Sequence, residues 1–206
     1  MEMKRIGISL IISWLAACST TLNPPEDSYS MQEDSLRTVY YQLADSLNQA
    51  WNVLRKDDAT KNARLQRLLS EMEQTGNYAA DTLDSLESRV EQLAQLEYDS
   101  VTVGNEHRVH RYDSATVAIS EAVVQYAETR AGYTRYPGLV YLTEKILDAN
   151  RSMMLYRISY DRYSRRFNQF LDEHHGLIAV LDSNGTSAQR RFLFRLVNDR
   201  PEDSTP

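Results

Sequence analysis

The chain has 206 residues, 29 acidic against 23 basic side chains, a net charge of −6 and 42% hydrophobic residues. That balance fits one folded domain with tails and argues against charge-driven binding of nucleic acid. A single cysteine excludes an internal disulfide framework and an attached c-type haem, and seven glycines leave few places for a phosphate-binding loop.

Lys4 and Arg5 precede a mostly apolar stretch, Ile6 to Leu15, and the small pair Ala16-Ala17 leads into Cys18. Such a stretch is too short to span a bilayer, which takes about 20 residues. A charged start, a short apolar middle and small residues at its end describe a secretory signal peptide, here residues 1–17. Leu15-Ala16-Ala17-Cys18 resembles the lipobox of bacterial lipoproteins, which implies that Cys18 becomes the lipidated first residue of the mature chain. Acyl chains contribute about 0.8 kcal/mol per buried CH₂, so several of them anchor a protein without a spanning helix. Ser19 resembles the signal for sorting to the outer membrane.

Residues 18–30 hold Pro24-Pro25 and several hydroxyl side chains and read as a lipidated tether. Leu36, Tyr40, Leu43, Leu47, Ala50 and Leu54 recur at spacings of 4, 3, 4, 3 and 4, which predicts a helix over 31–56. Asp57-Asp58 reads as an interruption that caps a second piece over 58–75, with Gly76-Asn77 as its stop. Leu83, Leu86, Val90, Leu93 and Leu96 predict a helix over 80–97. Residues 98–112 lose the period. Val101 and Val103 alternate before Gly104-Asn105, so a short hairpin and an irregular connection both fit. Ala115, Ile119, Ala122 and Tyr126 predict a helix over 113–131.

The strongest pattern comes last. Leu139, Leu142, Ile146, Ala149, Met153, Tyr156, Tyr160, Tyr163, Phe167 and Phe170 alternate spacings of 3 and 4 without a break. With Pro137 at the start, they predict a helix over 138–172, about 50 Å long. A helix of that length needs long partners, so residues 31–175 are expected to form an all-α, antiparallel four-helix-type bundle with long helices. Residues 176–206 read as a tail carrying one apolar-basic segment, Arg190–Val197.

Two blocks bring a family to mind: "DSLNQAWNVLRKD" around Trp51, and "YPGLVYLTEKILDANRSMMLYRISYDRYSRRFNQF". In the second, Tyr136-Pro137, Asn150-Arg151, Arg157, Tyr160-Asp161 and Phe167-Asn168 resemble the Tyr-Pro, Asn-Arg, Arg and paired Tyr-Asn positions of the LemA family. Asp161 stands where the family carries the first Asn. The resemblance, over roughly residues 36–171, implies an envelope-associated helical bundle with Trp51 near the end of a long first helix. It implies no particular activity.

Candidate chemistry is sparse. His107 and His110, three apart beside Glu106, and His174-His175 after Asp172-Glu173 offer imidazole and carboxylate donors of the kind that hold zinc or copper. Solvated histidines at helix ends are the plainer reading. Tyr156, Tyr160 and Tyr163 read as bundle core, or else as a stacking surface for a ligand. Arg151, Arg157, Arg162, Arg165 and Arg166 read as a solvated face paired with Asp and Glu of the neighbouring helices. Arg190, Arg191, Phe192, Phe194 and Arg195, basic and apolar together, either touch a membrane or partner or pack back onto the bundle. Asp34, Asp45, Asp81, Asp84, Asp99 and Asp113 each open an Asp-Ser or Asp-Thr triplet that resembles an O-glycosylation acceptor, and helix capping explains several of the copies without sugars.

No Gly-rich phosphate loop, nucleophile elbow or Ser/His/Asp arrangement occurs, so neither enzymatic activity nor a cofactor is expected. The sequence leads to a lipoprotein of the bacterial envelope, expected on the outer membrane facing the periplasm. There it would act as a scaffold or interaction module for envelope proteins. The alternative is a helical bundle that binds a small ligand or metal in the periplasm.

Overall fold

Among the described residues four helices form where the apolar period runs: α1 (Glu26–Gln74), α2 (Ala80–Leu96), α3 (Glu106–Glu128) and α4 (Pro137–Glu173), with single 3₁₀ turns at Thr102–Gly104 and Tyr133–Arg135. The computed structural model describes residues 26–176 and 189–194, so Cys18, the signal segment and Arg195 lie outside the described residues. The fold is all-α, an antiparallel helical bundle, with no strand among the described residues. Among the described residues no helix is long and apolar enough to cross a membrane.

Three expectations need correction. First, α1 is one continuous helix of 49 residues, about 73 Å, and Asp57-Asp58 does not interrupt it. Asp58 is buried on its inner face, paired with Lys61 one turn on and with Arg55 one turn back, so the carboxylate stays within the helix instead of capping a new one. Trp51 therefore sits near the middle of the first helix and not near its end. Second, the described part of α1 already includes residues 26–30, inside the stretch read as tether. Third, residues 98–112 hold no hairpin. A 3₁₀ turn leads to Asn105, whose side chain accepts the Arg108 N–H at 3.1 Å and caps α3 seven residues before the predicted start.

Loop chemistry closes the other ends. Gly76 takes φ +65 after α1, and Gly132 takes φ +88 after α3, both in the left-handed region that a side chain would strain. Pro137 opens α4 at the position where its missing N–H costs nothing.

The predicted seam of α4 is the observed one: Leu139, Leu142, Ile146, Ala149, Tyr160, Phe167 and Phe170 are buried, and Met153, Tyr156 and Tyr163 pack partly buried against them. α4 runs antiparallel to α1 along its length. Tyr40 meets Phe167 and Phe170 at one end, Trp51 meets Tyr160 in the middle, and Glu71 meets Gly138 at the other end. α2 and α3 cover only part of that pair, because Tyr112 on α3 lies level with Asp58 and Asn62, and Ala127 lies level with Tyr78. The burial pattern of α1 follows. Between residues 33 and 50 just Tyr40 and Leu47 are fully buried, a two-helix seam. From Leu54 onward Leu54, Asp58, Lys61, Leu65, Leu68, Leu69 and Met72 are, a stripe wide enough for a four-helix interior.

Candidate functional site

Where α1, the α2–α3 connection, α3 and α4 meet, an aromatic cluster surrounds the chain's last described residue. Phe194 is 2% exposed. Its ring stands edge-on to Tyr98 at 5.8 Å and to Tyr160 at 5.6 Å, with the Arg157 guanidinium 4.9 Å from its centroid. Behind it Tyr98 meets Tyr112 edge-on at 5.4 Å, and Trp51 lies 5.3 Å from Tyr160. Edge-to-face pairs of this kind contribute about 0.5–1.5 kcal/mol each beyond burial.

Ionic groups rim the cluster. Arg157 binds both carboxylate oxygens of Asp113 on α3 and donates to the Tyr98 hydroxyl at 3.1 Å. Burial opposes its charge, but the bonds and charges of Asp113 and Tyr98 outweigh that, and its pKa lies above the ordinary arginine value. Burial likewise pushes the Tyr98 phenol up to about 12, with Asp113 adding to the rise and Arg157 opposing it. The Tyr112 hydroxyl donates to Asp58, and its pKa is raised by burial and by that carboxylate. Arg55 reaches from α1 to Glu97 at 2.6 Å, and Arg108 donates to the Glu97 carbonyl at 3.0 and 2.8 Å, so the end of α2 is pinned from both sides.

Residues 189–194 form a strap that runs back along α4. Asn168 donates from Nδ2 to the Arg191 carbonyl at 2.9 Å and accepts the Arg191 N–H on Oδ1 at 2.7 Å. Asp161 accepts the Phe194 N–H at 2.9 Å. Arg190 pairs with Asp172, the Arg191 guanidinium lies 5.8 Å from the Phe167 ring, and Phe192 lies on Gly104, where any Cβ would come within 2.6 Å of its Cδ1.

The sequence candidates fall as follows. Phe194 takes the packed position of its two readings, while Arg190 and Phe192 remain exposed and Arg191 is half-buried. Tyr160 is buried, and Tyr156 and Tyr163 are partly so. Arg157 makes the expected pair with an acidic residue of a neighbouring helix, Asp113, but it is half-buried and not solvated. Its segment of α4 turns toward α3 and the strap, where Asp113 and Phe194 receive it. Arg151, Arg162, Arg165 and Arg166 are exposed. His107 and His110 share one side of the first turns of α3 and are exposed, and His174 lies against the Phe170 ring at 4.6 Å. Among the described residues no group of three or more His, Cys, Asp or Glu is placed to hold a metal ion. Asp161 and Asn168 were not singled out as functional by residue type. A signal existed in their spacing: Arg157, Asp161, Ser164 and Asn168 repeat at 4, 3 and 4, a polar stripe beside the aromatic seam.

A second concavity, about 620 Å³, opens at the far end, lined by Arg67, Glu71, Arg135, Tyr136, Pro137 and Gly138. Glu71 already fills the N-terminal end of α4 there, held by Arg67 at 2.8 Å. No family model, curated protein or solved structure matches the chain.

Proposed function

We propose that the chain is a LemA-like, non-enzymatic lipoprotein of the bacterial envelope, lipidated at Cys18, whose helical bundle serves as a scaffold for other envelope proteins. The observation that carries this reading is the run of Lys4-Arg5, the apolar stretch and Leu15-Ala16-Ala17-Cys18, with its one thiol at the position where lipidation needs it. The geometry of α1 is in keeping with it. Seven residues separate Cys18 from Glu26, the first described residue of a helix about 73 Å long, and seven residues reach at most about 25 Å. A lipid on Cys18 would hold the α1–α4 two-helix end near the bilayer and present the α1–α2 and α3–α4 turns away from it. The absence of charge suited to nucleic acid directs the search for partners to proteins.

The test is expression of the full-length chain in a bacterial host, wild type and Cys18→Ser, followed by membrane fractionation and the mass of the N-terminal peptide. Wild-type protein in the outer-membrane fraction with an acylated cysteine, and a soluble variant, is the expected result. An unmodified Cys18, or one removed with the signal, refutes the anchor and with it the scaffold reading.

A further inference from the structure

Beneath the strap, α4 carries polar side chains where a packed helix ordinarily carries apolar ones. Asp161 and Asn168 are both buried, and both direct their side chains at main-chain groups of another segment. They stand seven residues apart, two helical turns, about 10.5 Å. The groups they hold, the N–H of Arg191 and the N–H of Phe194, are three residues apart, which in extended chain is about 10 Å. The two spacings match. One face of α4 thus offers hydrogen-bonding groups at the pitch of an extended peptide lying antiparallel to it, and these bonds make no demand on the peptide's side chains.

Selectivity comes from two further places. The pocket of Tyr98, Tyr160 and Arg157 accepts one aromatic ring, and Arg157 meets it by its cation. Three residues earlier, the Phe167 ring receives the Arg191 guanidinium. Phe192 and Arg190, by contrast, stay largely in solvent. We propose that the groove between α4 and the α2–α3 connection is a docking site for an extended peptide carrying a basic residue and, three positions later, an aromatic one. The chain fills this site with its own Arg191–Phe194, and a partner segment of the same pattern enters when the strap leaves. The groove is then closed by default and open on exchange. This inference does not depend on lipidation of Cys18.

The probe is a fluorescent synthetic peptide copying residues 188–196, titrated by anisotropy into the full-length chain and its Phe194→Ala variant. Saturable micromolar binding to the variant is expected, at least tenfold weaker binding to wild type, whose strap competes, and loss of binding when the peptide carries Ala for Phe194. Adding Asn168→Ala to the Phe194→Ala chain should weaken binding at least fivefold. No saturable binding to a helical Phe194→Ala chain overturns the proposal. So does equal affinity for the two chains, or affinity indifferent to Asn168 or to the peptide's aromatic ring. If Phe194→Ala does not fold, the wild-type chain decides. Excess unlabelled peptide should raise hydrogen exchange at the Arg191 and Phe194 amides several-fold, and unchanged exchange at millimolar peptide refutes exchange in the groove.

Discussion

Lys61 and Asp58, one turn apart on α1, form an ion pair at 3.0 Å with only 3% and 2% of their side chains exposed. The pair does not stand alone: Tyr112 of α3 donates to the same carboxylate, and Arg55 approaches it at 3.6 Å. One acidic side chain thus ties the middle of α1 to α3 and neutralises a lysine that the interior would otherwise not tolerate.

Removing half of such a pair leaves a buried charge uncompensated, which typically costs about 3–5 kcal/mol, whereas replacing both by apolar groups of similar size is often neutral. Asp58→Ala should accordingly lower the free energy of unfolding in urea by about 3–5 kcal/mol. The double variant Asp58→Leu/Lys61→Met should recover most of that loss. A double variant that loses the sum of the two single effects would show that the pair is not coupled.

Arg157 uses the shape of its guanidinium. It grips both oxygens of Asp113, donates to Tyr98 and covers the Phe194 ring, and an ammonium on a flexible stem cannot do all three. Arg157→Lys keeps the charge, so any loss reports geometry. We expect a destabilisation of about 1–3 kcal/mol by chemical denaturation, and a greater loss for Arg157→Met, which leaves Asp113 without its partner. A lysine variant as stable as wild type would reduce Arg157 to a point charge.

How much of this was legible beforehand depends on the distance of the partners. The seam of α4 could be read residue by residue because its signal is local: ten positions at one period, seven buried and three partly buried against whatever lies opposite. Asp57-Asp58 misled for the opposite reason. Two carboxylates look like a helix cap until Tyr112, 54 residues away, is seen to bind one of them. Arg157 was legible as half of an ion pair but not in its burial, since Asp113 and Phe194 lie far along the chain and nothing in its neighbours distinguishes it from the exposed Arg162. The polar stripe from Arg157 to Asn168 was visible as spacing. What covers it is main chain from residues 189–194, and main-chain groups leave no imprint on sequence.

The change in burial along α1 has a dynamic consequence. Between residues 33 and 50 its seam faces α4, and past Leu54 it is enclosed by three helices. Local opening is easiest where fewest apolar contacts are lost. Hydrogen exchange should therefore show amides of residues 33–46 of α1 exchanging at least tenfold faster than those of residues 58–72, in a folded chain below its melting temperature. Uniform protection along α1 would mean that the two-helix end opens only with the whole bundle.

The buried phenols set an alkaline limit. Of thirteen tyrosines, Tyr98 has its pKa pushed up to about 12 by burial, and Tyr112 is raised as well. The folded chain holds the Tyr98 proton more tightly than the unfolded chain, whose phenols titrate near 10. Its contribution to stability is thus complete below about pH 10 and is lost as pH rises toward 12. For this one residue the two-unit difference amounts to at most about 3 kcal/mol. Tyrosinate absorbance followed alongside the helical circular dichroism should show two stages. Phenols in contact with water ionise first, near 10, with the helices intact. The last ionise together with unfolding, between about pH 10 and 12. Titration of every tyrosine near 10 with no loss of helix would mean that the cluster around Phe194 admits water, and the tight seat of the strap would fall with it.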